Sequence, residues 1–148
     1  MELTFQTAQA QDADVLFAWN KDLIDRYETL ESIDYDRVLA WVRRKLDGRI
    51  GEYTRVLADG KTAGYFRFVP GEDGMYELDD LYIFPEFQCR GIGTKIIETC
   101  CEQVECPVYL YVFVRNERAA ALYRRLGFRV TQTVGESRCI MRRGGENY

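Results

Sequence analysis

Three stretches of this chain hold residue types that could do chemistry. The first is Gln88-Cys89-Arg90-Gly91-Ile92-Gly93-Thr94, which stands between an expected strand ending at Pro85 and an expected helix. Glycine lets a backbone turn sharply and approach a ligand with no Cβ in the way. The free N–H groups at the start of the next helix, at the positive end of its dipole, favour a phosphate or pyrophosphate. The same two glycines would equally serve a loop that only needs flexible positions. The segment is neither a Walker A loop nor a Gly-x-Gly-x-x-Gly dinucleotide loop.

The second stretch is Glu77-Leu78-Asp79-Asp80-Leu81-Tyr82-Ile83, with three carboxylates near one end of an expected inner strand. Such groups are costly to bury unless they are solvated, paired or used. Alternation places Glu77 and Asp79 on one face and Asp80 on the other, unless a bulge intervenes. Partial burial would raise a carboxylate's pKa and make it a better proton acceptor near neutral pH. A frayed strand end paired with Arg55 or Arg67 would account for the same residues without chemistry. The third stretch is Asn116-Glu117-Arg118-Ala119-Ala120-Ala121-Leu122-Tyr123, followed by Leu126-Gly127-Phe128. By type, Asn116 suits a helix N-cap and Tyr123 an apolar helix face. Three consecutive alanines let another element or a ligand approach closely.

Composition narrows the chemistry. The chain has no histidine, which removes imidazole bases and argues against a zinc enzyme. With 20 basic and 24 acidic residues the formal charge is −4, so no basic excess exists for a general nucleic-acid binder. The five cysteines, Cys89, Cys100, Cys101, Cys106 and Cys139, are odd in number, form no Cys-x-x-Cys, and read as reduced thiols of a cytoplasmic protein. Cys100 and Cys101 read as small buried hydrophobes; Cys89, beside the glycines, has no visible base partner. No apolar run approaches the ~20 residues that span a bilayer, and Met1-Glu2-Leu3-Thr4 lacks a signal-peptide pattern. A length of 148 residues, 47% of them hydrophobic, suits a single domain over 1–148 with a sizeable core.

The elements that must position these residues follow from periodicity. Leu3 to Thr7 reads as a strand. From Asp12 or Asp14, either a plausible N-cap, the positions Val15, Trp19, Leu23 and Tyr27, widened by Leu16 and Ile24, form an amphipathic helix to about Glu28. Asp34 caps a second helix with Val38, Val42 and Leu46 inward and Gly48 after its end. Tyr53 to Ala58 and Thr62 to Val69 flank Asp59-Gly60, a type I′ hairpin signal. A third strand, Met75 to Phe84, precedes a helix over Gly91 to Val104. The apolar run Val108 to Val114 fits an interior strand covered on both faces. A helix from Glu117 to Leu126 ends at Gly127, and strands near Phe128 to Val134 and Arg138 to Arg142 follow. The order β-α-α-β-β-β-α-β-α-β-β predicts an α/β fold: a mixed, largely antiparallel sheet with helices on its faces.

Taken together, these residues resemble the GNAT superfamily of acetyl-coenzyme A-dependent N-acetyltransferases. The loop matches that family's Gln/Arg-x-x-Gly-x-Gly/Ala signature, preceded by Leu81-Tyr82-Ile83-Phe84-Pro85-Glu86-Phe87. Downstream, Asn116, Ala119, Leu122-Tyr123 and Leu126-Gly127-Phe128 match its Asn-x-x-Ala-x-x-Leu-Tyr-x-x-x-Gly-Phe pattern. The specific part covers roughly Glu77 to Phe128. Cys89 and Arg90 fill variable positions, and no core motif residue is missing.

The resemblance implies a role for each matching residue. The amides from Gln88 through Cys89, Arg90, Gly91, Ile92 and Gly93 to Thr94 would cradle the coenzyme's pyrophosphate. Leu81, Tyr82 and Ile83 would pair with the pantetheine arm in a slot opened by a bulge. A backbone N–H near Leu81 or Tyr82 would face the developing oxyanion. Asn116 and Ala119 would line the other wall. Glu77 would be the general base, with Asp79 the alternative, and Tyr123 the general acid at the leaving sulfur. A primary amine of pKa ~10.4 must lose a proton before it attacks, which is why a base is needed. The acceptor would be an amine, either a small molecule or a protein N-terminus, chosen by residues 23–36 and 131–139. The first of these stretches is acidic and aromatic, suiting a cationic amine, although acids at helix starts also serve the dipole. The resemblance implies neither a metal, a nucleic acid nor a membrane partner, and it leaves room for a homodimer through the final strands. A non-catalytic acyl-coenzyme A sensor on the same fold is the alternative; it would need neither Glu77 nor Tyr123.

Overall fold

The computed structural model describes residues 1–145. The elements run β1 (Leu3–Thr7), α1 (Asp12–Tyr27), α2 (Tyr35–Arg49), β2 (Tyr53–Ala58), β3 (Lys61–Pro70), β4 (Tyr76–Ile83), α3 (Ile92–Glu102), β5 (Val108–Phe113), α4 (Glu117–Arg125), β6 (Arg129–Val134) and β7 (Arg138–Arg143). This is the order read from periodicity, with short 3₁₀ turns added at Leu30–Ser32, Ile50–Glu52 and Pro85–Phe87. The strands form one sheet ordered β1-β2-β3-β4-β5-β7-β6. Of the hydrogen-bonded neighbours only β4 and β5 run parallel, joined by the crossover helix α3.

Alternation along each strand divides the core. Tyr53 and Tyr65 join Ala13, Leu16, Ile24, Val42 and Leu46 in a cluster under α1 and α2. Phe66 and Phe68 point the other way, toward the cluster of Leu78, Ile92, Ile96, Ile97, Leu110, Phe128 and Met141 under α3 and α4. Both helix layers therefore lie on one shared sheet.

The local signals are mostly honoured, with differences that have physical causes. Asp34 caps α2, its Oδ1 accepting the Arg37 N–H at 3.2 Å, but the helix runs through Gly48 to Arg49. Neither Asp12 nor Asp14 caps α1; both lie in its first turn, after Gln11. Asp12 is buried instead, accepting the Gln9 N–H at 2.8 Å and the Tyr65 hydroxyl at 2.6 Å. The inward stripe of α1 centres on Ala13, Leu16 and Ile24, so Val15 is exposed. Asp59 and Gly60 have φ of 49° and 84°, the pair of positive values a type I′ turn requires. The β5 run is not covered on both faces throughout, because Tyr111 is 39% exposed. Gly64 of β3 is required by close approach: a Cβ there would collide with the carbonyl oxygen of Tyr82.

Candidate functional site

Strand β4 carries an irregularity that shapes everything around it. Arg67 of β3 faces Asp79 and Tyr65 faces Tyr82, so Phe66 stands opposite two residues, Asp80 and Leu81. Asp80 takes the left-handed conformation, with φ of 50°. This is a β-bulge, which bends the strand and shifts its phase by one residue. Simple alternation would send Asp80 to the face opposite Asp79. The bulge turns both toward α2 instead, where each meets Lys45. Leu81 and Ile83 then return to the α3 and α4 side, beside Leu78.

Just before the bulge, β4 parts from β5. The two pair only at Tyr76 with Val108 and Glu77 with Tyr109, and beyond that a slot opens. The Phe84 N–H bonds the Ala63 carbonyl at 2.8 Å on the β3 side. Alternation therefore aims the backbone of Leu81 and Ile83 at the slot. The side chain of Tyr82 is committed elsewhere, stacked on Trp19 with centroids 4.8 Å apart.

At the end of the slot lies the glycine loop. The Gln88 amide donates to the Ile83 carbonyl at 2.9 Å and ties the loop to the strand. Cys89 and Gly91 take φ of 62° and 78°. Among the described residues, none of the backbone N–H groups of residues 89–94 finds an acceptor; the ladder begins with the Lys95 N–H on the Gly91 carbonyl at 3.0 Å. Six unpaired donors on one turn are what a bound anion would need. A Cβ on Gly91 would meet nothing within 4 Å, so backbone conformation rather than space calls for glycine there. The Ile92 side chain is buried and Thr94 lies in the first turn of α3, so the loop offers a ligand chiefly main chain. Two guanidinium groups flank it. Arg118 of α4 lies 3.1 Å from the Cys89 sulfur, and Arg90 lies over the Phe87 ring at 5.7 Å. Arg118 escaped the sequence reading because nothing local ties α4 to the loop. Shallow cavities of about 310 and 430 Å³ adjoin Arg90 on the β1 and β2–β3 sides, outside the slot.

The three carboxylates have different surroundings. Asp79 Oδ2 accepts from Lys45 Nζ at 2.5 Å and Arg67 Nη1 at 3.1 Å. Asp80 Oδ2 accepts from the Tyr53 hydroxyl at 2.6 Å and lies 3.4 Å from Lys45 Nζ. Burial holds the Asp80 carboxyl above the usual carboxylate range, with the neighbouring Asp79 charge adding to the shift. Glu77 makes no ion pair among the described residues; its nearest partner is the Tyr109 hydroxyl at 3.4 Å. Burial, then the Asp79 charge, raises the Glu77 pKa, and Lys45 and Arg67 offset only part of that. Of the two cations expected near this strand end, Arg67 is there, whereas Arg55 bonds Thr62 at 2.6 Å.

Across the slot, Asn116 is the N-cap of α4, its Oδ1 accepting the Ala119 N–H at 3.3 Å. Tyr123 packs on Phe128 with centroids 6.0 Å apart, and burial pushes its pKa up to about 12. Its hydroxyl has no hydrogen-bond partner among the described residues.

The tertiary structure also joins the two stretches expected to frame an acceptor. Arg115, just after β5, donates to the carbonyls of Tyr27 and Glu28 at 3.1 and 2.9 Å. Ser32 reaches Glu136 of the β6–β7 turn at 3.4 Å. Part of the acidic character is used internally, since Asp25 binds Tyr35 at 2.6 Å and Lys21 at 2.9 Å, and Asp34 is a cap. Glu31 and Asp36 stay exposed, and Tyr111 is half-exposed with the Arg138 guanidinium over its ring at 5.4 Å. Among the described residues no helix is long and apolar enough to cross a membrane.

Comparison with known proteins agrees with this geometry. An uncharacterized N-acetyltransferase of Mycobacterium bovis is 30% identical over 79 residues, covering 51% of each chain; this chain thus spans about half the length of that curated relative. Among solved structures, an N-acetyltransferase from Staphylococcus aureus Mu50 matches with a TM-score of 0.72 at 15% identity, over 94% of this chain and 99% of the other. The PaiA N-acetyltransferase from Thermoplasma acidophilum, solved in complex with coenzyme A, matches with a TM-score of 0.64 at 19% identity, over 98% and 100%. A sequence model of the acetyltransferase (GNAT) family matches residues 15–128, most of the chain and all three candidate stretches, and the chain belongs to that family.

Proposed function

We propose that this chain transfers an acetyl group from acetyl-coenzyme A to a primary amine, by direct attack within a ternary complex. The observation that carries the reading is the pairing of an open β4–β5 slot with six unpaired N–H groups at its end. A pyrophosphate suits those donors, with Arg90 and Arg118 beside them, and an extended pantetheine arm suits the free edge of β4. The coenzyme A complex of the PaiA protein supports the same choice of ligand.

Each chemical role falls to a residue whose surroundings fit it. Glu77, unpaired and with a raised pKa, takes the proton an ammonium substrate must lose, through a water. Asp79, the other candidate, has its carboxylate already engaged in ion pairs with Lys45 and Arg67. The Leu81 N–H faces the carbonyl oxygen where negative charge develops. Tyr123, protonated throughout the neutral range, keeps a hydroxyl proton for the leaving sulfur. Glu77 and the exposed ring of Tyr111 together favour a cationic amine, which a carboxylate and a ring face both attract.

Calorimetric titration with acetyl-coenzyme A, with ATP as control, tests the reading. Saturable binding of the coenzyme alone is expected, followed by thiol release in a screen of amines. Binding without turnover on any amine would favour a sensor, and no binding would remove the ligand assignment.

A further inference from the structure

The left-handed residue at the bulge is an aspartate whose carboxylate is gripped from two sides. Non-glycine residues avoid this conformation because Cβ crowds the following carbonyl, although Asp and Asn tolerate it best. Here the Tyr53 hydroxyl and Lys45 Nζ converge on the same Asp80 oxygen. Tyr53 is only 1% exposed, and its carbonyl accepts the Ala8 N–H at 2.9 Å, so the grip is anchored in the core under α1 and α2. Lys45 also holds Asp79, which Arg67 shares, and Arg67 gives its remaining donors to Glu52 at 2.6 and 2.9 Å. One chain of contacts thus joins α2, the turn before β2, β3 and β4, just past the last rung between β4 and β5. A regular strand would instead turn the Asp80 carboxylate into the apolar cluster around Leu78, where nothing pairs with it.

We propose that Tyr53 and Lys45 are positioning residues. By holding the Asp80 carboxylate they maintain the bulge, and the bulge keeps the N–H groups of Leu81 and Ile83 turned into the slot. This inference rests on the coenzyme reading above, because its consequence is a correctly shaped edge for the pantetheine arm. The pyrophosphate cradle, formed by the loop's own backbone, does not depend on it.

That separation supplies the test. The whole chain and its variants are titrated with acetyl-coenzyme A and with 3′-phosphoadenosine diphosphate, which has the phosphates but no arm. Asp80→Ala is expected to weaken acetyl-coenzyme A at least tenfold and the fragment less than twofold. Asp80→Gly, which has no Cβ to strain, should bind the coenzyme at least fivefold tighter than Asp80→Ala. Tyr53→Phe should lose about tenfold in the native background and less than twofold in the Asp80→Gly background, since the grip then has nothing to hold. Equal losses from Tyr53→Phe in both backgrounds would overturn the proposal. So would parallel losses for both ligands, or a folded Asp80→Ala that binds like the native protein. If Asp80→Ala fails to show a thermal transition, the two Tyr53→Phe measurements decide. A native protein that binds neither ligand would instead remove the coenzyme reading, and this inference with it.

Discussion

Glu77 and Asp79 carry the same charge two residues apart on one strand, yet their neighbours divide them. Asp79 sits between two cations, whereas Glu77 is partly buried with only a tyrosine hydroxyl nearby. As a base Glu77 works only when ionised, and its pKa is raised. Activity should therefore fall as pH drops through a point above the ordinary carboxylate range. Glu77→Gln is expected to lower kcat about 100-fold and to abolish that acidic limb, read from a pH–rate profile. An unchanged limb would move the role elsewhere. The same shift has a stability sign. Folded Glu77 holds its proton more tightly than the unfolded chain does, so its favourable contribution is complete below about pH 4.3 and is lost as pH rises through the folded pKa. Glu77→Gln should accordingly melt no lower than the native protein at pH 8. Tyr123 behaves differently, because at about 12 its pKa leaves it protonated throughout the neutral range. Tyr123→Phe should lower turnover far more than acetyl-coenzyme A affinity; equal rates would take Tyr123 out of the mechanism.

Among the elements, the helix ends show how local signals turn into a site. Asp34 and Asn116 each accept an N–H three residues on, and both were legible as caps because short polar side chains reach that donor. The start of α3 has no side-chain cap; Gly91 precedes it in the left-handed region, leaving its donors open. Gly91→Ala should cost about 1–2 kcal/mol in urea unfolding, since any Cβ is strained there even with open space around it. Gly91→Glu should cost a similar amount of stability and in addition abolish coenzyme binding, because its charge opposes the diphosphate. Equal coenzyme affinity in the two variants would show that no phosphate lies at the loop. The bulge in β4 is the element that periodicity could not specify. Alternation assigns Asp80 to the face opposite Asp79; in the fold its carboxylate instead meets Tyr53 and Lys45, which are 27 and 35 residues away.

For the molecule as a whole, the decisive feature is one sheet serving two apolar layers. Leu16 lies in the layer under α1 and α2, and Ile97 in the layer under α3 and α4, both fully buried. Leu16→Ala and Ile97→Ala are each expected to cost 2–5 kcal/mol and to lower one common unfolding transition. Two separable transitions in calorimetry would show that the layers fold independently.

Sequence alone determined the order of strands and helices, the turn at Asp59-Gly60, the loop at residues 88–94 and the family. These rest on periodicity, glycine and short-range capping, which act over a few residues and leave a readable trace. Only the tertiary structure decided which carboxylate stands unpaired, that Arg118 flanks the loop, that residues 23–36 meet the β6–β7 turn, and that β4 leaves β5 after Glu77. Each of these depends on partners brought from distant parts of the chain, where charge and burial are set by packing rather than by sequence neighbours.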